Sequence, residues 1–115
     1  MSDKLFVEAV FSELYGKNLS QYKDSLTKPV NGDKDSYARA RNALASLSET
    51  QKLDVFDFLK VVIADSASVI LGTLDGVHFP DNLEGEFVLS VDGNEIQGNL
   101  QDIFIDKVQE EGVYD

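Results

Sequence analysis

The chain has 115 residues, 43% of them hydrophobic, with no cysteine and a formal net charge of -11 at pH 7. This composition predicts one folded domain, residues 1–115, with a core of its own. It excludes a disulfide scaffold, thiolate catalysis and Cys-ligated metal sites. Because proteins bind a phosphate backbone through Lys and Arg, the acidic balance also disfavours direct binding of nucleic acid.

The opening residues predict an amphipathic helix over 3–15, with Ser2 as its N-cap. Gly16 is expected to end this helix, and a short helical piece through Leu26 is expected to follow it before Pro29. The apolar residues of the first helix recur at three- and four-residue spacing: Leu5, Phe6, Ala9, Val10, Leu14 and Tyr15.

The middle of the chain predicts two helices. The first opens at Ser36 and turns Tyr37, Ala40, Leu44 and Leu47 inward. Ser48 then lies three residues before Gln51, which is capping-box spacing, and a long central helix (about 50–74) follows and ends at Asp75-Gly76. Its apolar residues cover a wide arc, so we expect other elements to contact it on more than one side. These residues are Leu53, Phe56, Leu59, Ile63, Ala67, Ile70 and Leu74, with Val55, Phe58, Val62 and Val69 beside them.

In the last forty residues, the spacing of the apolar side chains changes from helical to alternating. Alternation from Glu86 to Val91 and the Asp92-Gly93-Asn94 turn predict a β-hairpin (about 86–98) with Ile96 facing the core, and Val77–Phe79 is a candidate third strand. A C-terminal helix (about 99–111) starts at Asn99 and buries Leu100, Ile103, Phe104 and Val108. The expected fold class is α+β and mostly helical, with N-terminal helices packed on the central helix.

Motifs for chemistry are absent. Asn31–Asp35 places oxygens at the first, third and fifth positions of a calcium loop, but Ser36 replaces the required glycine and Asn42 replaces the bidentate Glu. His78 is the only imidazole, and no nucleophile elbow or phosphate-binding glycine spacing occurs. We therefore predict no catalytic activity, no metal and no cofactor.

The charge is lopsided. Residues 61–115 carry one base, Lys107, against seven Asp and five Glu, which accounts for the whole net charge, whereas residues 1–60 are neutral overall. On the last helix, Asp102, Asp106 and Glu110 recur every four residues and repel one another. This pattern predicts an acidic face that binds a basic protein partner, with Asp92 and Glu95 extending it.

Three other interpretations remain open. The acidic row is also what the solvated side of an ordinary amphipathic helix looks like. In a second hypothesis, the chain forms a charge-complementary homodimer, whose two surfaces are the locally basic stretch from Lys17 to Arg41 and the acidic half. The chain is therefore expected to be a monomer or a homodimer. The third places a small-molecule or enzyme site near the central helix, with His78 at its rim. The first hypothesis has the composition of small inhibitors of basic enzymes, such as immunity proteins, by analogy of charge alone.

The expected location is cytoplasmic. Glu8 interrupts the apolar run that a secretory signal needs. The longest apolar run, Val61–Ala64, is far shorter than the roughly 20 residues that cross a bilayer, so no membrane association is expected.

Overall fold

The structure, a computed structural model, describes residues 2–115. Five α-helices, a π-helical segment and one short hairpin make up the regular structure of this range. Their bounds are α1 (Asp3–Phe11), the π segment (Ser12–Asn18), α2 (Leu19–Leu26), α3 (Ser36–Ala45), α4 (Glu49–Asp75), β1 (Ser90–Val91), β2 (Asn94–Glu95) and α5 (Leu100–Glu110). The predicted fold class is confirmed, with the N-terminal helices packed on a long central helix, α4.

The N-terminal helices run on without a break, and the predicted stop at Gly16 is wrong. Ser2 caps α1 as expected, since its hydroxyl accepts from the Leu5 N–H at 3.1 Å. Gly16 instead lies inside the π segment. The preceding residue explains the continuation: Tyr15 stacks on Phe11, with ring centroids 4.6 Å apart, and its hydroxyl donates to the Lys60 carbonyl. Packing against α4 therefore outweighs the local stop signal.

The central helix begins and ends where its caps predict. The Ser48 hydroxyl accepts from the Gln51 N–H, and the Gln51 side chain accepts from the Ser48 N–H, which completes the capping box. Gly76 ends α4 in the left-handed conformation, with φ of 76°. With 27 residues, α4 is about 40 Å long and spans most of the molecule's 49 Å long axis. Across residues 2–115, no helix is both long and apolar enough to cross a membrane.

The main core lies between α1, α5 and the C-terminal half of α4. Close approach of α4 and α5 depends on Gly72, where an added Cβ would overlap the side-chain amide nitrogen of Gln101 and lie 3.1 Å from the Cβ of His78. The Gln101 amide in turn donates to the Ser68 carbonyl at 2.9 Å. The buried members of this core are Val7, Ala64, Leu71, Leu100, Phe104, Val108 and Val113.

A smaller cluster joins α2 and α3 to the N-terminal half of α4. Its buried apolar residues are Leu19, Ala38, Leu44 and Phe56. The predicted inward face of α3 is wrong in part, because Tyr37 is 51% exposed and Ala40 is also exposed, whereas Ala38 and Arg41 are buried. The rotation has a polar cause. The Arg41 guanidinium donates to the Ser25 carbonyl at 2.7 Å, at the end of α2, where helix carbonyls lack intrahelical partners.

The hairpin is shorter than predicted. Its ladder pairs Ser90 with Glu95 and Val91 with Asn94, and the turn residues Asp92 and Gly93 have φ of 51° and 81°, as a type I′ turn requires. Ile96 is buried as expected.

Two predicted strand segments do not form. Val77–Phe79 is irregular, and Phe79 is 77% exposed. Residues 86–89 are also not strand, because the return segment that would pair with them leaves the hairpin at Gly98, whose N–H donates to the Asp75 carboxylate. The Leu89 N–H is satisfied instead by the side-chain oxygen of Gln97 at 2.9 Å.

The N-terminus of α5 is capped from a distance. The helix starts at the predicted place, but the Asn99 side chain forms no cap hydrogen bond. The Asp75 carboxylate accepts instead from the N–H groups of Gly98, Leu100 and Gln101 at 2.6, 3.1 and 2.7 Å. Asp75 is the last residue of α4, so one carboxylate links the end of the central helix to the start of the last helix.

Candidate functional site

The three predicted acids of α5 lie together on its outer face and form what we call the acidic ridge: Asp102, Asp106 and Glu110. All three are exposed, whereas Leu100, Phe104 and Val108 of the same helix are buried. Each step of four residues advances about 40° around a helix, so the ridge crosses the outer face obliquely. The amphipathic pattern of α5 therefore fixes where these carboxylates point.

Ion pairing does not neutralise the ridge. The ion pairs in the described part of the chain are Lys17–Glu13, Lys52–Glu49 and Lys60–Asp57, at 3.2 to 3.3 Å, and all lie within the first 60 residues. No acid of residues 61–115 takes part in one. The negative potential of the C-terminal half is therefore unscreened by direct contacts with lysines of the opening helices.

The single base of the acidic half, Lys107, is turned towards α1, beside Asp106 and Glu110. The Lys107 ammonium lies over the Phe11 ring, 5.5 Å from its centroid, in a cation–π arrangement. Lys107 is half-buried between α1 and α5, and its stem covers apolar surface there. Its position leaves the carboxylates of the acidic ridge as the outermost charges of the helix.

A cleft of about 370 Å³ runs along the edge of the ridge, between α1 and α5. Val7 and Ile103 provide its apolar part, and its rim carries both signs of charge. The charged residues lining it are Lys4, Glu8, Asp106, Lys107 and Glu110. The cleft places a small apolar surface directly beside two ridge carboxylates.

The hairpin acids are exposed but stand apart from the ridge in their bonding. Asp92 is the first turn residue, and Glu95 accepts from the Gln97 side-chain amide at 3.2 Å. Within residues 2–115, neither one hydrogen-bonds or ion-pairs with the acidic ridge. The ridge on α5 is therefore the better-defined part of the predicted surface, and Asp92 and Glu95 lie at the tip of a separate turn.

Two tyrosine hydroxyls tie the ends of the fold to α4. Tyr114, beyond α5, donates to the Asp65 carboxylate at 2.7 Å, and this hydrogen bond is the main cause that raises the Tyr114 pKa to about 12. Tyr15 donates to the Lys60 carbonyl at 2.8 Å, and burial is the main cause that raises its pKa to about 12. Both hydroxyls are therefore protonated donors throughout the neutral range.

The other candidates for chemistry are spread apart. His78 is exposed after the end of α4, with its backbone N–H donating to the Gly72 carbonyl at 3.0 Å. In the calcium-like segment, Asn31 closes a turn onto the Asp33 N–H, and Asp35 caps α3 through the Ala38 N–H. Across residues 2–115, no three His, Asp or Glu side chains converge as ligands for a metal ion.

The sequence did not locate one apolar surface of the molecule. A groove of about 430 Å³ lies between the N-terminal helices and α4, on the side of α4 away from α5. We call it the apolar groove; it is lined by Val10, Leu14, Asn18, Tyr22, Leu59, Val62, Ile63, Ser66, Ala67, Ile70 and Leu71. Other elements contact α4 on more than one side, as expected, but they leave Phe58 and Ile70 59% and 61% exposed. Periodicity reports which side chains are apolar, not whether a neighbour covers them.

Comparison with protein-family models, with curated proteins and with solved structures found no match. The proposed function therefore rests on the geometry of the chain's own residues.

Proposed function

We propose that this protein is a small acidic binding module without catalytic activity, and that its acidic ridge engages a basic protein partner. The observation that supports the proposal is the exposed, unpaired state of Asp102, Asp106 and Glu110, while every ion pair of the described chain lies in the other half. A carboxylate row at four-residue spacing lowers helix stability by repulsion, and only Asp102, in the first turn of α5, gains from the helix dipole, so helix stability does not account for Asp106 and Glu110.

The ridge would act first on the rate of encounter. Unscreened charge of one sign attracts an oppositely charged surface over several ångströms and accelerates association, and this effect falls with ionic strength. Affinity then needs apolar anchors near the charges. The cleft beside the ridge, where Ile103 is partly exposed, offers such a place, and the half-exposed ring of Tyr114 lies just past the helix.

A charge reversal with a matched control tests the proposal. The ridge variant carries Asp102→Lys, Asp106→Lys and Glu110→Lys, and the control variant carries Asp24→Lys, Asp33→Lys and Asp54→Lys, which are equally exposed acids of the other half. Both variants change the net charge by the same amount. Each protein is immobilised, the proteins it captures from a lysate are identified, and the association rate of a captured basic protein is measured at low and high salt.

The ridge variant should lose capture of the basic protein, and the control should keep it with a similar association rate. The association rate of the unmodified protein should also fall as salt rises. Equal loss in both variants would mean that only net charge matters. Unchanged capture by the ridge variant would reduce the ridge to solvated surface and overturn the proposal. Circular dichroism of both variants checks that the helices are intact.

A further inference from the structure

The outward side of α4 carries a stripe of exposed residues that are apolar except for one serine; we call it the outer stripe, and it consists of Val55, Phe58, Val62, Ser66 and Val69. The helical period places them opposite Ala64 and Leu71, which face the core. The apolar groove adjoins this stripe and shares Val62 and Ser66 with it. A mostly apolar face therefore extends along about four turns of the central helix.

The accessible surface area of the whole molecule is large enough to include an unoccupied interface. The chain exposes 7707 Å², whereas a compact monomer of 12.7 kDa exposes about 6,200 Å². Its radius of gyration is 17.3 Å, against about 13 Å for a compact chain of this length. The excess of roughly 1,500 Å² exceeds the area of about 800 Å² that each partner buries in a standard interface.

The outer stripe matches itself when two copies of α4 run antiparallel. Around a twofold axis at Val62, Val55 of one copy meets Val69 of the other, and Phe58 meets the small Ser66. Both pairings occur twice, once on each side of the axis, as an isologous interface requires. A large aromatic side chain opposite a small one lets the two helices approach closely.

The charge layout favours the same orientation. The acidic half of the chain packs along the C-terminal half of α4, where Tyr114 reaches Asp65 and Asp75 caps α5. The α2–α3 region, which belongs to the locally basic stretch, lies beside the N-terminal half, at Phe56 and Arg41. Antiparallel pairing puts the two acidic halves at opposite ends, whereas parallel pairing would set them side by side and make them repel.

We infer that two copies of this chain form a homodimer through the outer stripe and the apolar groove, with their α4 helices antiparallel about Val62. This surface differs from the charge-complementary one that the sequence indicates. Arg41 of the basic stretch is buried against Ser25 and does not contribute to an exposed cationic patch. The acidic ridge lies on the other side of the fold, so a dimer presents two free ridges, and dimerisation stands independently of the proposed partner.

The oligomeric state is measured first, by light scattering and sedimentation across a range of protein concentrations. The unmodified protein should show twice the chain mass of 12.7 kDa. Val62→Glu should shift the mass to that of one chain and raise the dissociation constant at least about tenfold, since it buries two like charges at the axis. Val88→Glu, the same substitution at an exposed site away from α4, should leave the dimer intact.

Unique thiols then test the orientation, because the chain has no cysteine of its own. Under mild oxidation, Val62→Cys should cross-link to itself. Val55→Cys and Val69→Cys should each stay single alone but cross-link when mixed, since like positions lie about 21 Å from each other in the antiparallel pair. Self-cross-linking of Val55→Cys would show parallel pairing and overturn the arrangement. If the chain is monomeric at every concentration and this face binds an apolar fluorescent dye, the face has another occupant and the dimer is overturned.

Discussion

The two halves of α4 lie in contrasting surroundings. The C-terminal half contributes three of the residues that α4 buries, Ala64, Leu71 and Gly72, and packs against α1 and α5. The N-terminal half buries only Phe56 and lies beside the smaller α2–α3 cluster. The same helix is therefore a core element at one end and a partly open face at the other.

The side-chain hydrogen bonds and ion pairs also differ between the two halves of α4. The C-terminal half is tied by buried or half-buried side chains that reach distant backbone groups, such as Asp75 to α5 and Gln101 to Ser68. The N-terminal half of α4 has two of the three ion pairs, Lys52–Glu49 and Lys60–Asp57, and the third, Lys17–Glu13, lies in the π segment; each joins residues three or four apart. Such pairs contribute little to stability. Ion pairs are therefore not what holds this fold together, whereas single charged side chains such as Asp75 and Arg41 do contribute through hydrogen bonds to distant backbone groups.

The largest expected effect is the loss of stability from a substitution in the main core, which packs against the C-terminal half of α4. Phe104→Ala should lower the free energy of unfolding by about 3 to 5 kcal/mol, because this ring is fully buried between α1, α4 and α5. Chemical denaturation measures the change. Phe79→Ala, the same substitution at an exposed ring, should stay within about 0.5 kcal/mol of the unmodified protein. Similar losses in both variants would contradict the location of the core.

Arg41→Ala tests the smaller cluster. It removes the guanidinium that donates to the Ser25 carbonyl and hydroxyl, so we expect a loss of about 2 to 3 kcal/mol. The matched control is Arg39→Ala, whose side chain is exposed and bonds only locally; it should cost less than about 0.5 kcal/mol. A loss no larger for Arg41→Ala than for the control would mean that α3 is held by its apolar contacts alone.

Asp75→Ala tests the link between α4 and α5. Three N–H groups lose their acceptor, and the expected cost is about 1 to 2 kcal/mol, typical of an N-cap. Amide exchange should accelerate at Gly98, Leu100 and Gln101 in particular. Asp75→Asn keeps one acceptor oxygen and should lose less. Substitution of the exposed Asp81 by Ala is the control, and unchanged exchange at the three amides in Asp75→Ala would contradict the remote cap.

Local signals predicted the elements whose determinants are close in sequence. The capping box of Ser48 and Gln51, the Asp92-Gly93 turn and the buried spacing of Leu100, Phe104 and Val108 all involve residues at most eight apart, and the structure confirms each one. The outward position of the acidic ridge follows from the same helical spacing. Whether it binds a partner depends on a molecule that the sequence does not describe.

Interactions between distant residues account for what the sequence did not predict. The Asp75 cap joins residues 25 apart, Arg41 reaches back 16 residues to Ser25, and Tyr15 meets Lys60 across 45 residues. The Tyr15 contact stabilises the helical continuation through Gly16, and the Arg41 contact determines which face of α3 is buried. The open side of α4 was missed for a related reason, since an apolar face has the same periodicity whether another element of the chain covers it or not.

The smallest expected effect is a change in the pH dependence of stability when the Tyr114–Asp65 hydrogen bond is removed. Because the folded pKa of Tyr114 is raised from 10 to about 12, its contribution to stability is fully present below pH 10 and is lost as pH rises through 12. Tyr114→Phe should cost about 1 kcal/mol at pH 7, a modest value because the ring is half exposed. Its free energy of unfolding should also fall less steeply between pH 10 and 12 than that of the unmodified protein. Tyr22→Phe, which removes a hydroxyl without a hydrogen bond to the fold, should keep the full slope; equal slopes in Tyr114→Phe and the unmodified protein would mean that the Asp65 contact does not persist in solution.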